Sequence, residues 1–185
     1  MLSASPSSCK VCIFVPCSVL TSSSLSPGTG MAAERIREKG YFHIDAFDPN
    51  KRSCEVAQRK GIYERIFVTE GSPKAEELKL ILDNTYDLIV SAGTFWVSPS
   101  YPGVYMLEEL ARVIKPGGKI CIVVNEEYIQ GDWQNWEVVR ALEKRGVLKA
   151  RPVKIVPNYR MNASVSDTNN GKPPNGAVVV YDILS

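Results

Sequence analysis

The chain has 185 residues, 44% of them hydrophobic and 23% charged, with 22 Lys and Arg against 20 Asp and Glu. That length suits one globular domain with a core large enough to need no disulfide staples. The surplus of two positive charges argues against a dedicated nucleic-acid or anionic-membrane surface, no apolar run reaches the length of a membrane span, and one histidine, His43, leaves little scope for His-based metal or triad chemistry.

Residues 1–30 hold nine serines and one charge, Lys10, and the next stretch is dense in charge from Glu34 to Lys39. This sets off a Ser-rich segment, 1–27, from a domain over 28–185. Lys10 ahead of an apolar stretch faintly suggests a signal peptide, but Pro16 interrupts that stretch and no small-residue cleavage site follows. Cys9-Lys10-Val11-Cys12 is a lone C-x-x-C without a second pair, so the five cysteines read as free thiols of a reducing, cytoplasmic compartment. Cys54 and Cys121 stand inside apolar patterns, as small buried residues do.

Residues 32–39 read as a helix closed by Gly40, and 42–47 as a strand alternating apolar and polar residues that ends at Asp48-Pro49-Asn50. A helix over 51–60 stops at Gly61, and a short strand follows over 65–69. Ser72-Pro73 opens a further helix with Leu78, Ile81 and Leu82 on one face. Residues 86–90 form a buried-type strand, followed by a Gly/Ser/Pro-rich loop over 91–103.

Leu107, Leu110, Ala111 and Ile114 carry the apolar stripe of a packed helix, which Lys115-Pro116-Gly117-Gly118 stops before a strand over 119–124. A helix over 135–145 and two strands, 153–157 and 177–181, complete the chain, with a polar loop over 161–176 between the last two. Alternating strands and helices predict a parallel sheet covered on both faces, and the final pair predicts an antiparallel hairpin at one edge.

In such a sheet, ligands bind beyond the carboxyl ends of the strands. Gly28-Thr29-Gly30 precedes the first helix, Asp48 ends a strand 18 residues later, and Ser91-Ala92-Gly93 ends another. Glycines permit close backbone approach, and a strand-end carboxylate can accept both hydroxyls of a ribose. The set describes a site for an adenosine-bearing cofactor. Gly28-x-Gly30-x-x-Ala33 also fits a dinucleotide fingerprint, so a nicotinamide oxidoreductase stays open.

Tyr86-Asp87-Leu88-Ile89-Val90, followed by the segment from Leu107 to Lys119 with its Arg112-Val113-Ile114-Lys115-Pro116-Gly117-Gly118, resembles class I S-adenosylmethionine-dependent methyltransferases. The stretch from Gly28 to Ala57-Gln58-Arg59-Lys60-Gly61-Ile62-Tyr63 is similar to the methyltransferase-like protein 27 group. The resemblance spans roughly residues 28–185 and implies a Rossmann-like, doubly wound, mostly parallel seven-stranded α/β sheet with a C-terminal antiparallel hairpin. It implies S-adenosyl-L-methionine as cofactor and a small-molecule or protein methyl acceptor, with neither nucleic acid nor membrane as partner.

The resemblance also implies roles for particular residues. Gly28 and Gly30 would lie beside the methionine moiety, Asp48 on the ribose, Pro49 and Asn50 near the adenine, and Glu70 against the base. Ser91 and Gly93 would line the methionine end. Trp96, Tyr101 and Tyr159 are candidates to wall or orient the acceptor, and no residue stands out as a general base. The family's first motif is degenerate here: Ser24 stands where it has an acid and Ser26 where it has its first glycine. Residues 1–30 also lack the helices that family members carry ahead of that motif. A catalytically impaired cofactor binder is therefore the competing reading.

Overall fold

The apolar run near the start of the chain becomes the middle of the sheet. β1 (Lys10–Phe14) lies between β2 (His43–Asp48) and β4 (Tyr86–Ala92) and is parallel to both. The computed structural model describes residues 8–14, 31–48, 51–68, 79, 81–92, 106–130, 136–159 and 173–185. β3 (Arg65–Val68) pairs outside β2, and β5 (Ile114–Asn125) continues the parallel set beyond β4. β8 (Gly176–Ile183) then runs antiparallel to β5. The order is β3-β2-β1-β4-β5-β8-β6, with β6 (Leu148–Ala150) and β7 (Lys154–Val156) both paired to β8.

β6 escapes the sequence pattern because it is half of one edge strand. Ala150 pairs with Tyr181 and Lys154 with Val178, so five residues on the edge answer four on β8. That one-residue bulge holds Pro152, which has no N–H to give a ladder. Arg151 N–H still donates to Val180 O at 2.9 Å. Counted this way, the sheet has the expected seven strand positions, and the hairpin lies where the sequence puts it.

One face of the sheet, face A, carries the main core. α3 (Leu107–Val113) and α4 (Trp136–Lys144) cover it, burying Leu107, Leu110, Val139 and Leu142 against Ile89, Ile120, Ile122 and Tyr181. The other, face B, carries a smaller cluster of Val11, Ile44, Ala33 and Ile62 under α1 (Met31–Glu38). α2 (Lys51–Arg59) buries Cys54 and Ala57 in the crossover from β2 to β3.

β2 is buried on both faces after His43, as the two-sided covering expected of a parallel sheet requires. The polar residue that breaks the apolar run, Asp45, is fully buried and accepts from Arg65 Nη2 at 2.6 Å, Arg65 Nε at 3.1 Å and Tyr86 Oη at 2.8 Å. Leu82 is 81% exposed while Ile81 is buried, and 83–84 is a turn, so Leu82 does not share an apolar helical face with Ile81. The rest of the helix expected after Ser72 lies outside the described residues, as does 161–172 of the polar loop.

Inside β5, the segment Lys115-Pro116-Gly117-Gly118 makes an irregular passage opposite a register shift between Tyr86 and Leu88. A Cβ on Gly118 would lie 2.6 Å from Ile114 Cγ2 and 2.9 Å from Asp87 O, so only glycine lets the strands close here.

Candidate functional site

Strand order reverses between β1 and β4, which makes their carboxyl ends the binding crevice of the sheet. The register fixes what stands there. Phe14 pairs with Phe47 on one side and with Ser91 on the other. Asp48 is therefore one residue beyond the level of Phe14 on β2, and Ser91 is level with it on β4. The two flank the end of the central strand, about 10 Å apart at two strand spacings. Both are buried, Asp48 at 4% and Ser91 at 0% exposure.

Alternation puts them on opposite faces. Asp48 shares face B with Ile44 and Ala46, whereas Ser91 shares face A with Phe47 and Ile89. Ser91 belongs to β4 itself rather than to the loop that follows it.

Two residues beside Asp48 were not legible as site residues. Cys54 Sγ donates to the Asp48 carbonyl at 3.6 Å, tying the second turn of α2 to the strand end. The Tyr63 phenol is pushed up to about 12, first by burial and then by the negative field of Asp48, Glu34 and Cys54. Tyr63 thus stays a neutral hydroxyl, packed against the small core cluster of face B. Its Gly61-Ile62-Tyr63 context marks it in sequence only as the segment between a helix stop and a strand.

Farther along the crevice, the end of β5 is clipped to the start of β8. Glu126 N–H donates to Asn175 O, and Asn175 Nδ2 donates to Glu126 Oε2, both at 2.8 Å. Asn125 is buried beside them and is paired with Gly176. The Tyr159 ring lies on Gly176 so closely that a Cβ there would sit 2.6 Å from its Cγ. Tyr159 therefore stands at the strand-end ledge, on the β5 side of the crevice. Gly28, Gly30, Pro49, Asn50, Glu70 and Gly93 lie outside the described residues, as do Trp96 and Tyr101.

The donor set fits an adenosine-bearing cofactor: a buried carboxylate at the end of β2 and a small hydroxyl residue across β1. The antiparallel β8 between β5 and the edge distinguishes this sheet from the all-parallel 3-2-1-4-5-6 order of the dinucleotide fold. Among the described residues, no group of His, Cys, Asp and Glu could hold a metal ion.

The profile of a family described as "Methyltransferase domain" matches residues 24–118, just over half of the chain. No curated protein sequence matches the chain as a relative. Among solved structures, it is similar to a Haloferax volcanii protein assigned as a methyltransferase, whose structure is a complex with the Trm112 methyltransferase activator. The two share 17% identity over 96% of this chain and 82% of that one, at a TM-score of 0.66. A Listeria monocytogenes protein assigned as an S-adenosylmethionine-dependent methyltransferase gives 12% identity over 95% and 90% of the two chains, at 0.61. An S-adenosylmethionine-dependent methyltransferase of Mesorhizobium loti gives 12% over 97% and 93%, at 0.58. The chain belongs to the methyltransferase-domain family, and its fold is that of the S-adenosylmethionine-dependent members.

Proposed function

We propose that the chain binds S-adenosylmethionine across the ends of β2, β1 and β4 and methylates a nucleophile on a small molecule or protein. The observation that carries this reading is Asp48: a carboxylate at 4% exposure, at the end of β2, beside the strand where the sheet order reverses. A carboxylate at that strand end can accept both hydroxyls of a ribose.

Asp48 holds the ribose, Pro49 and Asn50 border the adenine, and Glu70 contacts the base. Gly28, Gly30, Ser91 and Gly93 shape the methionine end. When bound, the cofactor supplies a methyl group already activated on a sulfonium, so the chain's task is alignment and exclusion of water. Tyr159, on its glycine seat beside Asn125, orients the acceptor.

The catalytic unit is residues 28–185 together with the strand from the Ser-rich segment, and the chain is similar in sequence to the methyltransferase-like protein 27 group. The protein works in the cytoplasm, in keeping with the free thiols of Cys54 and Cys121; among the described residues, no helix is long and apolar enough to cross a membrane. Ser24 and Ser26 in the first motif favour a second reading, a cofactor binder with impaired catalysis.

Calorimetric titration with S-adenosylmethionine and, separately, with NAD tests the reading. Saturable binding of the first alone is expected. Binding of NAD alone overturns it.

A further inference from the structure

Gly176 is a glycine for the sake of a neighbour, and that choice creates a chemically reactive pair. A Cβ there would lie 2.6 Å from Tyr159 Cγ and 2.8 Å from its Cβ and Cδ2, so no larger residue fits beneath the ring. Tyr159 is itself held, because its N–H donates to Pro174 O at 3.0 Å. The residue ahead of Gly176 is Asn175. In an Asn-Gly pair no side chain shields the second residue's backbone nitrogen, which can attack the amide carbon of the first. Asn175 is exposed, so water reaches that amide.

The pair is clasped from the side of β5. Glu126 accepts Asn175 Nδ2 on Oε2 and donates its N–H to Asn175 O, both at 2.8 Å. Gln130 Nε2 donates to the other oxygen, Oε1, at 3.1 Å and so steadies the carboxylate. Gly176 pairs with Asn125 of β5 on one side and with Val156 of β7 on the other. Closing a five-membered ring through the Gly176 nitrogen requires the Asn175 side chain to turn from Glu126 and the peptide to rotate out of the sheet. The reaction therefore waits on local opening of these strand ends.

We infer that Asn175 is a deamidation site gated by its clasp to Glu126, and that the reaction irreversibly unlatches the end of β5 from the start of β8. The Gly176 nitrogen bonds to Asn175 Cγ, the Cγ–Nδ2 bond breaks, and ammonia leaves with the proton that the Gly176 nitrogen gives up. Water then opens the succinimide at either carbonyl, yielding aspartate or isoaspartate. Each product sets a carboxylate, which has no proton to donate, against the carboxylate of Glu126, and the like charges repel. Isoaspartate also lengthens the main chain by one carbon just ahead of β8. The inference does not depend on the cofactor reading.

The test incubates the full chain at neutral pH and follows it by mass spectrometry. Trypsin leaves residues 161–185 as one peptide, since Lys172 precedes Pro173, and that peptide holds both Asn-Gly pairs, Asn170-Gly171 and Asn175-Gly176. Fragmentation assigns the gain in mass to one pair or the other and separates aspartate from isoaspartate. Glu126→Ala, with folding checked by circular dichroism, should speed conversion of Asn175 at least fivefold and leave the Asn170 rate unchanged. Amide hydrogen exchange reads the consequence. Asn175→Asp should speed exchange of the residue 126 amide at least tenfold, and adding Glu126→Gln, which can donate to the new carboxylate, should restore it. An Asn175 that does not convert, or converts at the same rate in Glu126→Ala, overturns the proposal. So does a residue 126 amide that is indifferent to Asn175→Asp or unrestored by Glu126→Gln.

Discussion

Asp87 Oδ2 accepts the backbone N–H of Lys10 at 2.7 Å, so the first residue of the central strand is fastened by the side chain of its neighbour β4. Lys115 Nζ holds both oxygens of the same carboxylate at 2.8 and 2.9 Å. Asp87 thus joins the starts of β1, β4 and β5. Asp87→Ala should cost about 1.5–3 kcal/mol of folding stability, the scale of a hydrogen bond to a charged group with one backbone donor left unmade. Urea unfolding measures it; a loss under 0.5 kcal/mol would mean that β1 is not anchored by Asp87.

Asp45 should be the least replaceable polar residue of the core. It is fully buried, with Arg65 and Tyr86 bonded to Oδ2 and Lys10 Nζ at 3.7 Å. Asp45→Ala removes the acceptor of the buried Tyr86 hydroxyl, while the half-exposed Arg65 can turn to water, and should destabilise by about 1–3 kcal/mol, the cost of a buried polar group that loses its partner. Thermal unfolding with and without the substitution decides this, and a change below 1 kcal/mol would show that the cluster is already wet.

Acid should loosen the C-terminal edge first. Hydrogen bonds from Arg151 and Lys119 hold the Asp182 carboxyl down at about 2, against an ordinary value of 3.8. A group with a depressed folded pKa contributes stability above its unfolded pKa and loses it as pH falls through the folded one. The contribution is therefore complete above about pH 5 and fades between pH 4 and 2. Asp182→Asn should flatten that part of the stability profile; an unchanged acid limb would assign it to other carboxylates.

The impairment proposed at Ser24 and Ser26 gives a gain-of-binding prediction. Rebuilding Ser24 to an acid and Ser26 to glycine should strengthen S-adenosylmethionine binding by about 2–4 kcal/mol, one charge-assisted hydrogen bond plus relief of one steric misfit. Equal affinities in the same buffer would show that the two serines are harmless.

Much of the fold is legible because its punctuation is chemical. Gly40, Gly61 and Gly146, expected to end helices, all have positive φ, and the strands that follow Gly40 and Gly61 lie within a residue or two of expectation. What escaped reading was set by long-range pairing. The β1 register depends on β2 and β4, β6 exists only through β8, and the burial of Asp45 depends on Arg65, 20 residues away. Of the residues at the candidate site, Asp48 was legible because a strand-end acid before Pro-Asn is a local signal. Tyr63 and Cys54 were not, because only the crossover brings them to it.

The central claim is that Asp48 holds the ribose of S-adenosylmethionine at the β1–β4 switch. Isothermal titration of the wild-type chain and of Asp48→Ala, with folding checked by circular dichroism, tests it most directly. The wild type should bind, and Asp48→Ala should lose about 1.5–3 kcal/mol, roughly ten- to hundredfold in Kd, while remaining folded. Unchanged affinity in a folded Asp48→Ala chain would contradict the claim.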